Sequence, residues 1–248
     1  MRPSVAARDL VRRESASLLL GLGLALPASA GDRALLDIIG YSEDSRFLVF
    51  EEFGIQDGSG FAYSNLYAVD LLEDSWVVGT PLRMRASDEG TSLAEIRNEA
   101  LANAEGLLTE LEITVPADVI ALLGDGVPEQ DGRSLRFGLP GYEPGAVRGD
   151  HELELETFPT AAASPCFDWF AVEPLGYELT LTAGGKKRLL HRDDTLPRSR
   201  GCPQDYRIHA VAVPFNSAEG KGATAILSVY PFGFEGPDRR FVAVPLGL

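Results

Sequence analysis

The chain has 248 residues, 45% of them hydrophobic and 24% charged, with a formal net charge of −15. That composition supplies an ample core and argues against wholesale disorder. The acidic balance argues against nucleic acid and against anionic lipid surfaces, and suits either a cationic partner or plain solubility.

The first thirty residues read as an export signal. Arg2, Arg8, Arg12 and Arg13 precede an apolar run from Leu18 to Leu26, and Pro27 and Ala28-Ser29-Ala30 follow. This is the order of a signal peptide, with cleavage predicted between Ala30 and Gly31. The apolar run is far short of the roughly 20 residues that a membrane span requires, and an amphipathic helix would need a polar face that it lacks. Arg12-Arg13 keeps the twin-arginine route open, although Glu-Ser-Ala-Ser follows it where that route usually shows an apolar pair. Residues 1–30 carry four basic and two acidic residues, so the mature chain has 18 basic and 35 acidic, a net −17. No later segment is apolar enough to span a bilayer, and an exported protein, periplasmic or extracellular, is expected.

In the mature chain, Ser42-Glu43-Asp44-Ser45 is a turn cluster leading into Phe47–Glu52. Phe47, Val49 and Glu51 face one way and Leu48, Phe50 and Glu52 the other, so both faces of this strand are mostly buried. Gly58-Ser59-Gly60 then opens a long turn before a second strand, Ser64–Leu71, and Trp76–Gly79 follows another turn. The stretch Ser42, Asp44, Arg46, Leu48, Phe50, then Leu66, Tyr67, Asp70, resembles one blade of the propellers found in exported proteins. No second copy occurs, so it implies a local meander and not a whole propeller.

Thr91–Leu111 places Leu93, Ile96, Ala100, Leu101, Ala104, Leu107, Leu108 and Leu111 on one helical face, and Ser92 with Glu95 forms a capping box. An amphipathic helix packed on a sheet is the simplest reading. Residues 116–144 read as turns and short pieces, with a helical turn over 119–123. From His151 the chain turns β again: HELELETF alternates, with Leu153, Leu155 and Thr157 inward. Further strands are predicted at 167–173, 176–183, 186–191, 206–214, 223–230 and 240–245. The fold class is β-rich α+β: antiparallel sheets, sandwich or barrel-like, with one propeller-blade-like meander and one main amphipathic helix. The expected organisation is a single secreted domain over 31–248, with sub-parts 31–115 and 145–248.

Cys166 and Cys202 are expected to pair, since both follow the signal and an oxidising compartment favours it. No C-x-x-C spacing points to a metal or redox pair. The glycine-rich loop lacks the lysine and the following helix of a phosphate loop and the spaced acids of a calcium loop. Its glycines suit the positive φ angles of a long hairpin turn. Glu51, Glu52, Asp57, Tyr63, Ser64 and Asn65 nevertheless gather polar groups at one end of a β-element, making this rim the first candidate binding site. Arg198, Arg200 and Arg207 flank Cys202 and form a second, either a carboxylate or phosphate site or an ion-pair network with the many acids. Phe232 and Phe234 are plugs or a contact patch. His151, His191 and His209 have no spacing that gathers two on one local face, so no metal site is predicted, and no motif calls for a cofactor. No G-x-S-x-G nucleophile elbow occurs.

Three blocks, VFEEFGIQDGSGFAYSNLYAVDL with the later WVVGTPLR, RSRGCPQDYRI, and GFEGPDRRFVAVP, resemble a family of predicted secreted bacterial proteins, a domain of unknown function. The resemblance spans essentially the whole mature chain. It implies export and one domain type, and it carries over no catalytic residue. The resulting expectation is a non-enzymatic binding or envelope-associated module whose partner is an unknown protein or envelope component. The alternative is an envelope hydrolase that uses the acidic glycine-loop region.

Overall fold

The computed structural model describes residues 31–126, 130–217 and 219–248. Residues 1–30, the predicted signal peptide, lie outside the described residues. The first sheet is an antiparallel meander of β1 (Leu35–Ser42), β2 (Phe47–Ile55), β3 (Ala62–Asp70) and β4 (Ser75–Trp76). The free side of β3 is shared, with β4 on Val69–Asp70 and β5 (Leu82–Arg85) on Tyr63–Leu66. β6 (Ile113–Val115) closes the other edge on β1. Helix α1 (Leu93–Glu110) lies on one face, and both hydrogen bonds of its predicted capping box are formed.

A second sheet, the central one, has the order β14-β13-β12-β7, from β7 (Ala117–Leu122), β12 (Pro203–Pro214), β13 (Thr224–Pro231) and β14 (Arg240–Pro245). The third, outer sheet has the order β11-β10-β9-β8, from β8 (Ser134–Pro140), β9 (Val147–Pro159), β10 (Leu175–Ala183) and β11 (Lys186–Arg192). Neither is a closed barrel.

Side-chain alternation stacks these elements in layers. Leu153, Leu155, Leu179 and Leu181 of the outer sheet pack on Ile208, Val211, Leu227 and Val244 of the central sheet. The opposite face of the central sheet, with Ala210, Ile226 and Phe241, packs on Leu48, Phe50, Tyr67 and Val69 of the first sheet. The far face of the first sheet, with Val49, Leu66 and Ala68, covers Ala100 and Ala104 of α1. The order is therefore outer sheet, central sheet, first sheet, helix. A strand buried on both faces needs a near-continuous apolar run, which AVAV of β12 and AILSV of β13 supply.

Three segments differ from expectation, the first being β8, a seven-residue strand paired with β9 inside the stretch 116–144 that reads as turns and short pieces. Residues 119–122 of the predicted helical turn are strand, because Ala117–Leu122 finds the open edge of β12, and ladder pairing outweighs local preference. Residues 167–173 are not a strand. Cys166–Phe170 forms a short helix, α2, whose C-cap Ala171 adopts a left-handed conformation. Its start is tied to the Cys166–Cys202 disulfide, with Cα atoms 5.6 Å apart. The bridge closes a 36-residue separation, and chain entropy alone then contributes about 4 kcal/mol.

The two adjacent acids of β2 hold the layers together. Glu51 faces α1 and is fully buried. Arg97 of α1 donates to it from Nε and Nη2, at 3.0 and 2.7 Å, and Ser64 Oγ donates at 2.7 Å. The Arg97 guanidinium also covers the Phe53 ring at 3.8 Å. Replacing Arg97 with methionine leaves a buried carboxylate without its counter-charge. We expect a loss of about 3 kcal/mol in urea unfolding at pH 7, largely recovered in the double variant with Glu51→Gln. A double variant as unstable as Arg97→Met would show that the loss comes from packing instead.

Candidate functional site

The first sheet, the outer sheet and the disulfide loop meet around a cleft of about 950 Å³, in the size range of small-molecule sites. One wall is the central-sheet-facing side of β3 and β5. Tyr63, Asn65 and Tyr67 alternate along β3 onto this side, and Arg85 and Arg83 stand opposite Tyr63 and Asn65 on β5. Leu82 and Met84, the residues between, turn to the helix layer. The other wall is the disulfide loop, with Trp169, Phe170, Arg198 and Arg200, closed by Phe232 after β13.

Each wall carries a ladder of aromatic rings. Phe50 stacks on Tyr67 at 4.9 Å, and Tyr67 meets Trp76 edge-on at 5.2 Å. Across the cleft, Phe232 stacks on Phe170 at 4.3 Å, and Phe170 meets Trp169 edge-on at 6.0 Å. The chain's two tryptophans are thus the outer rungs, 39% and 66% exposed. Of the two phenylalanines singled out near the C-terminus, Phe232 is a rung of this ladder, while Phe234 is 96% exposed.

The polar groups fall into two sets, and the first is committed to the fold. Glu52 is fully buried, and it accepts from Tyr67 Oη at 3.0 Å and from the backbone N–H of Phe241 in β14. Burial pushes its carboxyl up to about 7, against the pull of these donors and of Arg240 and Arg83. His191 stacks on Tyr177 at 4.6 Å, with Nε2 3.0 Å from Asp193 Oδ1 and Nδ1 3.8 Å from Asp74 of the first sheet. Burial alone would lower its pKa, but the two carboxylates outweigh that and hold it at about 9. Asp193 also accepts the Tyr177 N–H and lies 3.8 Å from Arg200, which covers the Tyr177 and Tyr206 rings. Arg240 donates to Tyr63 Oη at 2.9 Å.

The second set makes no direct ion pair, although Arg83 acts through space on Glu52. Arg83, Arg85 and Arg198 are exposed and form no salt bridge among the described residues. Elsewhere most arginines meet acids, as in Arg46 with Asp70, Arg97 with Glu51, Arg133 with Asp205, Arg136 with Asp150 and Arg239 with Asp125, while Arg188 donates to backbone carbonyls. The cleft is therefore cationic within an acidic protein.

The fold brings Glu52, Tyr63 and Asn65 of the first predicted site together with Arg198 and Arg200 of the second. It does not bring the others. Glu51 and Ser64 point to the helix side, because consecutive strand residues alternate. Asp57 sits at the hairpin tip, where its N–H meets Asp32, and Gly58 and Gly60 take φ of 77° and 69°, as a long turn requires. Arg207 pairs with Asp205 at 3.2 Å on the far side of the loop. The three histidines are dispersed: His151 lies against Phe137, His191 in the cleft and His209 beside Ser228. No group of metal-ligating side chains occurs among the described residues. Sequence reasoning missed Arg83, Arg85, Trp76 and Trp169. Their one signal was LRMR, a polar alternation beside an exposed tryptophan.

Both titrating groups give stability a defined pH dependence. A carboxyl with its native pKa raised from 4.5 to about 7 keeps its proton after the unfolded chain has lost it, so stability falls as pH rises through that window. For His191 the same logic places a second fall between 6.5 and about 9. Unfolding free energies measured from pH 5 to 9.5 should show both. Glu52→Gln is expected to remove the lower step, of order 3 kcal/mol, and His191→Gln the upper one. A Glu52→Gln profile parallel to the wild type would place the acidic step elsewhere.

Comparison with known families returns one match. The model of a family described as "Predicted secreted protein (DUF2259)" matches residues 49–246. No curated protein and no solved structure matches. Among the described residues, no helix is long and apolar enough to cross a membrane.

Proposed function

We propose, on the premise that this chain belongs to that family of predicted secreted proteins, that it is a non-enzymatic binding module of the cell envelope or exterior. Its cleft is the binding site and its ligand is an anion. The observation that carries this reading is the set of unpaired arginines, Arg83, Arg85 and Arg198, on facing walls in a chain of net charge −15. With 35 acidic residues in the mature chain, three guanidinium groups left exposed in one cleft are an arrangement for an external carboxylate, sulfate or phosphate. The wider acidic surface then acts on selectivity, repelling polyanions too large to fit between the walls.

Hydrolysis is the less supported use of the same surface. Glu52 has a pKa suited to general acid chemistry, but its oxygens are taken by Tyr67 and the Phe241 N–H. Of the other members of the acidic glycine-loop region, Glu51 and Ser64 lie across the sheet on the α1 side, and Tyr63 Oη accepts from Arg240.

Both tryptophans line the cleft, so intrinsic fluorescence reports its occupancy directly. Titration with citrate and with oligogalacturonate at low salt should give a saturable change with at least one of them. The affinity should fall on adding salt, and by about tenfold in Arg83→Ala and Arg85→Ala. Binding that ignores salt and both substitutions overturns the anionic reading. Turnover of chromogenic ester, glycoside or peptide substrates, lost in Glu52→Gln, overturns the non-enzymatic one.

A further inference from the structure

Resting on the reading of the cleft as an anion site, we infer that its ligand is an acidic saccharide: an oligosaccharide whose sugar rings stack on the two indoles while its carboxylate or sulfate groups meet the arginines. Three independent features of the cleft converge on this chemistry. The first is the placement of the tryptophans. Each is held by a ladder rooted in the fold: Phe50 and Tyr67 beneath Trp76, Phe232 and Phe170 beneath Trp169. Exposed aromatic rings held in place this way present electron-rich faces at little entropic cost. Such faces attract groups bearing partial positive charge, which the C–H faces of a pyranose ring do.

The second feature is a supply of neutral polar side chains. Asn65, Ser75, Ser164 and Ser199 line the cleft, and none has a side-chain hydrogen-bond partner among the described residues. An amide and three hydroxyls can each donate and accept, which suits a ligand rich in hydroxyl groups. A bare anion would leave them unused. The third is the charge: Arg83 and Arg85 on one wall and Arg198 on the other. Guanidinium groups bind carboxylate and sulfate in two-pronged fashion, so anionic substituents along a chain of sugars would be met from both sides.

The cleft's size is consistent with this. At about 950 Å³ it exceeds what a single small anion would fill. A mononucleotide would also offer a ring and an anion. However, the glycine-rich loop is no phosphate loop and its glycines lie outside the cleft lining, and α2, at five residues, is too short to present a helix N-terminus to a phosphate.

The test is calorimetric titration of the intact mature protein with five probes: trigalacturonate, a sulfated disaccharide, maltotriose, citrate and adenosine monophosphate. We expect binding of one or both acidic saccharides, at least about tenfold tighter than citrate and maltotriose. Trp169→Ala and Trp76→Ala should weaken it by about tenfold each, and the phenylalanine replacements by less. Both sites are exposed, and unchanged circular dichroism and melting temperature would separate lost binding from lost folding. If citrate binds as tightly as trigalacturonate and the tryptophan variants are silent, the saccharide assignment is overturned and the anion site stands. If adenosine monophosphate binds best, the saccharide is again overturned. If maltotriose matches trigalacturonate, or no probe binds, the anionic reading falls with it.

Discussion

Two neighbouring carboxylates with no exposure, Glu51 and Glu52, constrain everything else in this molecule. Consecutive residues on a strand point to opposite faces, so both faces of β2 must be covered, and each cover must bring donors. Arg97 brings them on α1, 46 residues further along the chain, and Tyr67 and the Phe241 N–H bring them from the other side, the latter 189 residues away. A one-residue slip of β2 would exchange the two acids and leave each facing the wrong partner, so the pair specifies register as well as layer order. Their energetics differ. Glu51 has a guanidinium for company, whereas Glu52 has neutral donors, and burial correspondingly holds its proton on up to about neutral pH.

The cleft inherits its geometry from that layering. β5 can present Arg83 and Arg85 because Leu82 and Met84 are held down against α1. The opposite wall is a loop, and loops need fixing if they are to bind with specificity. Here the disulfide holds α2 to Cys202, and Asp193 gathers His191, Arg200 and the Tyr177 N–H beneath it. His191 reaches Asp74 as well, so one imidazolium ties the loop's support to the first sheet. Charges that hold the cleft are thus satisfied internally, and charges left over face the opening.

Elements marked by local chemistry could be read from the sequence. The helix was legible because Ser92 and Glu95 punctuate it and its apolar stripe has a helical period. β9, β10 and β11 of the outer sheet were legible because only one face is buried, as in HELELETF, whereas β8 fell inside a stretch whose Gly and Pro content reads as turns. Residues 117–122 and 167–173 were not, since one is strand only because β12 has an open edge and the other helix only beside a disulfide. The site was half legible. Polar residues beside a glycine loop pointed to Glu52, Tyr63 and Asn65, but a sequence does not say which face of β2 is wet, and neither is. Arg83 and Arg198 are 115 positions apart, and only the stacking of layers makes them neighbours.

The central sheet is built almost wholly from the end of the chain, residues 203–245, yet it lies between layers made earlier. Until those strands are present, the first and outer sheets each have an apolar face with nothing to cover it. Such a chain has little to gain from closing early, because its native contacts are long-range and its keystone is synthesised last. The layer that joins the other two is therefore completed only when the last fifth of the chain has been made.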